Sequence, residues 1–478
     1  MRKTAGFATF LILALLLGIA CAVNPVTGKK ELSLISEEGE ISLGKETDTQ
    51  IQQEYGFYGD PELARYVTAV GSTMTPLTHR PNLAYHFAVL DSPVVNAFAA
   101  PGGYIYVTRG ILALMSSESE LAVVIGHELG HVNARHSVRK LSQMILVQVG
   151  LAVGSALSDT LAKISGVAAV GVQLLFLKFS RDDEQEADSL GVEYARRGRF
   201  NSGEMVSFFT ALEKYGDLSG KGHSLPGFLS THPLTAERIT NVRAMITTSD
   251  TALPKKREPY LRQVEDVVYG DDPRQGYVEG NVFYHPEMRF VFQIPAGWKL
   301  QNTPTKVTLA PENGRAAVVL QAEKSAEDLA AFANKKVADI QGRQLQNDRN
   351  LTVNGLASYE QVYSVSQKDT DPLRLRLSLI RKGGMVFYFS ALSKSGDFGS
   401  YDSTFRSISG SFAELREGNR INRQPRRIKI LQADGQKSLK EIFTGNGIHK
   451  ELWPVLAVAN GMDVNGTPQK NQLVKIVK

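Results

Sequence analysis

Two histidines four residues apart flank a glutamate in Ile125-Gly126-His127-Glu128-Leu129-Gly130-His131. On a helix, positions i and i+4 share a face, so the imidazoles of His127 and His131 can reach one metal ion. Glu128 can then reach a water bound to the same ion. Zinc is the ion this arrangement most often serves, and peptide-bond hydrolysis is its commonest chemistry. The bland alternative is a core helix whose histidines bond only to backbone. A His-Glu-His set is costly to bury in an apolar helix without a metal, which weighs against it.

The surrounding residues specify that helix. Ser117 and Glu120 have the spacing of a capping box, and Leu121 to Ile125 form a buried run. Gly126 and Gly130 each cost roughly 1 kcal/mol relative to alanine in a helix, so another helix is expected to pack closely there. Zinc also needs a third protein ligand, with the fourth position left for water. A third histidine in the HExxHxxGxxH pattern is excluded, because positions 134 and 137 are Ala and Ser. His136 is expected on another side of the helix, at the surface. Downstream, Ser180-Arg181-Asp182-Asp183-Glu184-Gln185-Glu186-Ala187-Asp188 is acidic and helix-forming. Glu184 and Asp188 are four apart, so one can bind metal while the other faces a ligating histidine; a solvated acidic face is the alternative.

With these motifs in hand, the chain resembles the HtpX-like and CaaX-prenyl-protease-related zinc metallopeptidases, and within them the soluble BepA-like envelope members. The matching residues are Asn96-Ala97-Phe98-Ala99 with Pro101-Gly102-Gly103, the HELGH helix, SRDDEQEAD, and Ser230-Thr231-His232-Pro233 with Arg238, over roughly residues 30–245. Carried over, the resemblance makes His127, His131 and Glu184 the ligands of one Zn2+ per chain, Glu128 the general base and Asp188 an outer partner. Glu186, about 200° around the helix from Glu184, is expected to point elsewhere. His232 is the candidate for supporting the tetrahedral oxyanion, or for occupying the zinc's open position at rest; orienting a His-Pro turn is its structural alternative. Arg238 anchors that loop or a substrate carboxylate, the anchor being preferred.

Asn96 to Ala99, the Pro-Gly-Gly turn and Tyr104 to Thr108 read as a hairpin beside the active helix. Its strand Asn96, Ala97, Phe98 and Ala99 can pair with an extended peptide by adding it to the sheet edge. Polypeptides are thus the expected substrates.

Residues 1–20 have a charged start, Arg2 and Lys3, and an apolar core from Phe7 to Leu17, and read as a signal peptide. Cys21 is the only cysteine, so no disulfide can form within the chain. Gly18-Ile19-Ala20-Cys21 resembles a lipobox, with Gly18 departing from the usual leucine. A lipid on Cys21 would anchor the protein to the membrane, and Ala22 implies retention at the periplasmic face of the outer membrane; cleavage to a free protein is the alternative. Net charge is +5 on 478 residues, which leaves no nucleic-acid footprint. Residues 141–179 are apolar, broken by Asp159 and Lys163, and read as helices over the cleft rather than a membrane span.

The expected fold is multidomain α+β. A mainly helical gluzincin-type metallopeptidase domain with a small sheet (21–250) precedes a linker (251–275). An α/β sandwich-like domain of weak PsbP resemblance follows (276–414), with strands at Phe290 to Ile294, Val307 to Leu309 and Ala317 to Leu320, a helix from Ser325 to about Gln341, and a hairpin turning at Gly383-Gly384. After a basic linker (415–427), residues 428–478 read strand–helix–helix–strand. That module resembles LysM, which implies peptidoglycan as a partner; a structural cap without glycan affinity is the alternative. The expected function is a zinc-dependent endopeptidase of the bacterial envelope acting on misassembled envelope proteins. Its rival is an envelope chaperone or peptidoglycan tether with a closed or idle zinc site.

Overall fold

The computed structural model describes residues 21–152, 178–219, 227–366 and 371–478. The signal-peptide reading and most of the apolar 141–179 segment lie outside them. Among the described residues, no helix is long and apolar enough to cross a membrane. The chain groups into two compact units, Met1–Gly270 with Arg426–Lys478, and Asp271–Pro425.

In the first unit the HExxH helix, Glu118–Asn133, is buried along its whole length. Ser117 caps it by accepting from the Glu120 backbone N–H. The reciprocal half of the expected capping box is shifted by one residue, since the Glu120 carboxylate takes the Ser116 N–H instead. A second helix, Arg181–Arg197, opens on a complete capping box between Ser180 and Asp183. These two helices meet backbone to backbone. A Cβ built on Gly126 would lie 2.9 Å from the Gly191 carbonyl oxygen, and one on Gly130 would lie 3.0 Å from the Ala187 Cα. This is the close approach that the two glycines predicted. It aims the first turns of Arg181–Arg197 at the His127 and His131 face.

A three-stranded sheet flanks the HExxH helix. His86–Leu90 runs parallel to Tyr104–Thr108, which pairs antiparallel with Ala97–Ala100. Ala97–Ala100 is therefore an edge strand. The Pro101–Gly103 turn needs left-handed backbone at Gly102 (φ 74°) and Gly103 (φ 94°), and a Cβ on Gly103 would strike the Ala84 carbonyl. Cys21–Val23 forms a short ladder with Lys30–Leu32.

The 251–275 stretch departs from the linker expectation. It carries a helix, Arg257–Gln263, whose Tyr260 and Leu261 are fully buried with Val264 in the same core as the HExxH helix. Its Pro and charge content masked an apolar spacing of three to four residues. The C-terminal segment pairs Ile428–Gln432 with Leu473–Val477 around helices Leu439–Gly445 and Trp453–Ala459. It sits in the first unit, where Ile428 and Ala459 join the main core. The Lys475 ammonium is buried against the carbonyls of Ala113, Leu114 and Met115, just ahead of the HExxH helix.

The second unit holds a seven-stranded antiparallel sheet and a four-stranded one. Strand alternation divides its core between the two faces of the large sheet: Phe387 and Phe389 on one, Val386 and Tyr388 on the other. The expected Ser325–Gln341 helix is shorter, Leu329–Lys336, because Asp328 rather than Ser325 caps it. Two long strands, Arg343–Val353 and Leu356–Val365, escaped the sequence reading. Their signal was the Asn354-Gly355 turn, with positive φ at both residues.

Candidate metal centre

The helix pair places four donors together. One ligand atom from each of His127, His131, Glu184 and His232 lies within 4.8 Å of the others, and all four residues are buried. The Nε2 atoms of His127 and His131 are 3.0 Å apart. Glu184 Oε2 is 3.7 Å from His127 Nε2, and its Oε1 is 3.7 Å from His131 Nε2. His232 comes from the turn after the short helix Gly227–Thr231. Its Nδ1 lies 2.8 Å from Glu184 Oε1 and 3.3 Å from His127 Nε2.

Asp188 sits one turn beyond Glu184, with Oδ1 2.9 Å from His127 Nδ1. Arg238 holds both carboxylates. Its Nε and Nη2 grip Asp188 at 2.7 Å each, and its Nη1 lies 2.7 Å from Glu184 Oε2. The same Nη1 donates to the Pro233 carbonyl at 3.0 Å, tying the His232 loop to the acidic helix. Arg238 is 3% exposed, so its charge is spent on these partners rather than offered to a substrate.

Electrostatics divide the two glutamates. Burial pushes the Glu128 carboxyl up, against the pull of His232 and His127. Burial also raises Glu184, but His232, His127 and Arg238 outweigh it and hold that carboxyl below its ordinary value. Burial and the neighbouring imidazoles push His131 well below its usual range, so it is neutral at physiological pH. Glu128 Oε1 stands 3.7 Å from His232 Nε2 and the Ala99 backbone N–H faces the carboxylate, but among the described residues neither Glu128 oxygen completes a hydrogen bond.

The donor set fits a divalent cation. With its Nδ1 proton directed at Asp188, His127 turns a bare Nε2 lone pair towards His131 Nε2, 3.0 Å away and beside the Glu184 carboxylate. That crowding is unfavourable without a positive charge between them. The unsatisfied Glu128 oxygens fit a group set to accept a proton from water.

One expectation is overturned. His136 is not a surface residue but 1% exposed, and its Nδ1 lies 2.8 Å from His131 Nδ1. The HExxH helix ends at Asn133 and Arg135 adopts a left-handed conformation (φ 55°). A new helix, His136–Ala152, therefore starts in a new direction and swings His136 back onto His131. Glu186 does point away from the cluster, as expected, but to His136 Nε2 at 3.0 Å. No sequence spacing announces the break at Arg135, which is why this pair escaped notice.

With this geometry established, comparison with known proteins is informative. Residues 61–246 match Peptidase family M48. Over that segment the chain is similar to the M48 metallopeptidases. The β-barrel assembly-enhancing protease of Escherichia coli K12 is 29% identical over 228 residues, 46% of each chain, and that of Yersinia pestis 28% over the same extent. The mitochondrial metalloendopeptidase OMA1 of Schizosaccharomyces pombe is 27% identical over 222 residues, covering 46% of this chain and 64% of that one. The chain thus spans about half the length of the bacterial relatives it matches. Among solved structures, cyanobacterial PsbP from Synechocystis aligns at a TM-score of 0.25 and 15% identity, over 29% of this chain and 96% of that one.

Proposed function

We propose that the chain is a zinc endopeptidase of the bacterial cell envelope, cleaving misfolded or misassembled envelope proteins. The observation that carries this reading is the convergence of His127, His131 and Glu184 beside the unbonded Glu128 carboxylate. His127, His131 and Glu184 would hold the ion, which when bound acidifies a water and polarises a carbonyl. Glu128, raised by its dry surroundings, takes the water's proton and delivers it to the leaving amine. Asp188 and Arg238 keep His127 and Glu184 in place.

The edge strand Ala97–Ala100 lies beside the HExxH helix and offers main-chain groups to an extended peptide, whereas the N–H and carbonyl of Asn96 are already bonded to Thr108. Recognition of that kind reads backbone more than side chains, which suits a protease acting on misassembled clients. The relatives named for β-barrel assembly support an envelope setting. A lipid on Cys21 would anchor the protein to the outer membrane. The strand–helix–helix–strand segment after Ile428 supports a LysM-like, peptidoglycan-facing role.

His232 favours a second element of the reading. Its position within the donor cluster suits a residue that fills the open coordination position at rest, better than one waiting to support an oxyanion. A closed resting site is also what the rival chaperone or tether reading requires. Glu128→Gln decides between them. The enzyme reading predicts that casein cleavage is chelator-sensitive in the parent and abolished in the variant, with zinc still bound. Equal cleavage by parent and variant would remove Glu128 from the chemistry.

A further inference from the structure

His136 and Glu186 form a chain behind the second metal-facing histidine that the reaction above does not use, buried at His136 and partly exposed at Glu186. The order of contacts is Glu186 Oε2 to His136 Nε2 at 3.0 Å, His136 Nδ1 to His131 Nδ1 at 2.8 Å, and His131 Nε2 at the donor cluster. Asp183 Oδ1 also faces His136 Nε2, at 3.8 Å, and the Phe179 ring stacks on His131 at 4.2 Å.

Proton counting leaves this chain one state in which His131 can bind a cation. An ionised carboxylate only accepts, so His136 Nε2 carries the hydrogen that meets Glu186. A neutral imidazole has one N–H, so His136 Nδ1 is then an acceptor. Among the described residues, the donor opposite it is His131 Nδ1–H, which leaves His131 Nε2 bare. The reverse arrangement, or a doubly protonated His136, puts a hydrogen on His136 Nδ1. His131 must then accept there and carry its own proton on Nε2, where a cation cannot bind. His127 solves the same problem in one step, through Asp188 at 2.9 Å.

We infer that His136, ordered by Glu186, is a positioning residue that holds His131 in its metal-binding tautomer. The inference rests on the proposed ligand role of His131. It assigns two residues to the metal centre that no HExxH pattern would select, and it makes the start of helix His136–Ala152 part of the site.

The test uses the full chain. Zinc affinity by chelator competition is compared for the parent, His136→Leu, His136→Asn and Glu186→Leu, with circular dichroism melts to check folding. Outer partners of ligating histidines are worth ~10–100-fold in metal affinity, so His136→Leu should weaken zinc binding by about that factor. His136→Asn should restore most of it, because an amide oxygen can accept from His131 Nδ1. Glu186→Leu, at a partly exposed position, should weaken binding less than His136→Leu but measurably. Long-range 1H–15N spectra of the zinc-loaded parent should show His136 protonated at Nε2 alone. Unchanged affinity in both leucine variants, equal losses in His136→Leu and His136→Asn, or a proton on His136 Nδ1 would each overturn the relay. The NMR result stands even if a variant does not fold. A parent that binds no zinc sinks the metal reading itself, whereas a zinc-binding parent matched by His136→Leu sinks only the relay.

Discussion

Gly126→Ala tests how the two metal-bearing helices are held in register. The new methyl carbon would sit 2.9 Å from the Gly191 carbonyl oxygen and 3.2 Å from its Cα. Both are backbone atoms, so relief requires the helices to separate by about 0.5 Å, towards ordinary contact distance. The intrinsic helix preference of alanine contributes about 1 kcal/mol in favour of the variant. Overpacking costs ~1–3 kcal/mol against it, for a net loss on the order of 1 kcal/mol. In a domain of this size that lowers Tm by about 3 °C. The effect on the site should be larger than the effect on stability, because His127 follows Gly126 directly and meets Glu184 and Asp188 across the seam. A shift of this order at a reacting centre should cost roughly tenfold or more in turnover. Thermal melts, zinc titration and casein cleavage measure the three quantities. Gly399→Ala is the control. That glycine is exposed in helix Phe398–Gly410 with nothing within 4 Å of a built Cβ, so it should gain about 0.5–1 kcal/mol. If Gly126→Ala melts at or above the parent and binds zinc equally well, the close seam does not set the ligand geometry.

Arg238→Met leaves the buried carboxylates of Glu184 and Asp188 without their shared cation. A loss of ~3–5 kcal/mol is expected in denaturant unfolding, together with weakened zinc binding; a loss under about 1 kcal/mol would make Arg238 peripheral. In the second unit, burial holds His285 neutral, down to about 4 from an ordinary 6.5. The unfolded chain takes up that proton below pH 6.5 and the folded chain does so only near pH 4, so stability falls as pH drops through this window. The difference amounts to about 3 kcal/mol. Unfolding followed through Trp298 in a Trp453→Phe background should show this slope, and His285→Gln should flatten it. A parent curve level between pH 7 and 4 would contradict the assignment.

Much of the site was legible because its logic is local. Helical spacing set His127 against His131 and Glu184 against Asp188, and Gly126 and Gly130 announced a neighbouring helix before its partner was known. What escaped depends on chain direction rather than composition. The left-handed Arg135 converts a nominally outward His136 into an inward one, and positive φ at an arginine leaves no compositional mark. The helix Arg257–Gln263 was obscured by flanking proline and charge, although Tyr260, Leu261 and Val264 carried its buried face. In the second unit the hairpin at Gly383-Gly384 was readable from strict alternation. Arg343–Val353 was not, since an edge strand exposed over most of its length shows no such pattern.

The central claim is that His127, His131 and Glu184 share one cation. It is tested most directly by an anomalous difference map at the zinc edge, from crystals of protein purified without chelator. The account predicts a single strong peak per chain, bounded by His127 Nε2, His131 Nε2 and the Glu184 carboxylate. A peak elsewhere in the chain, or none at that point in zinc-saturated crystals, would contradict it.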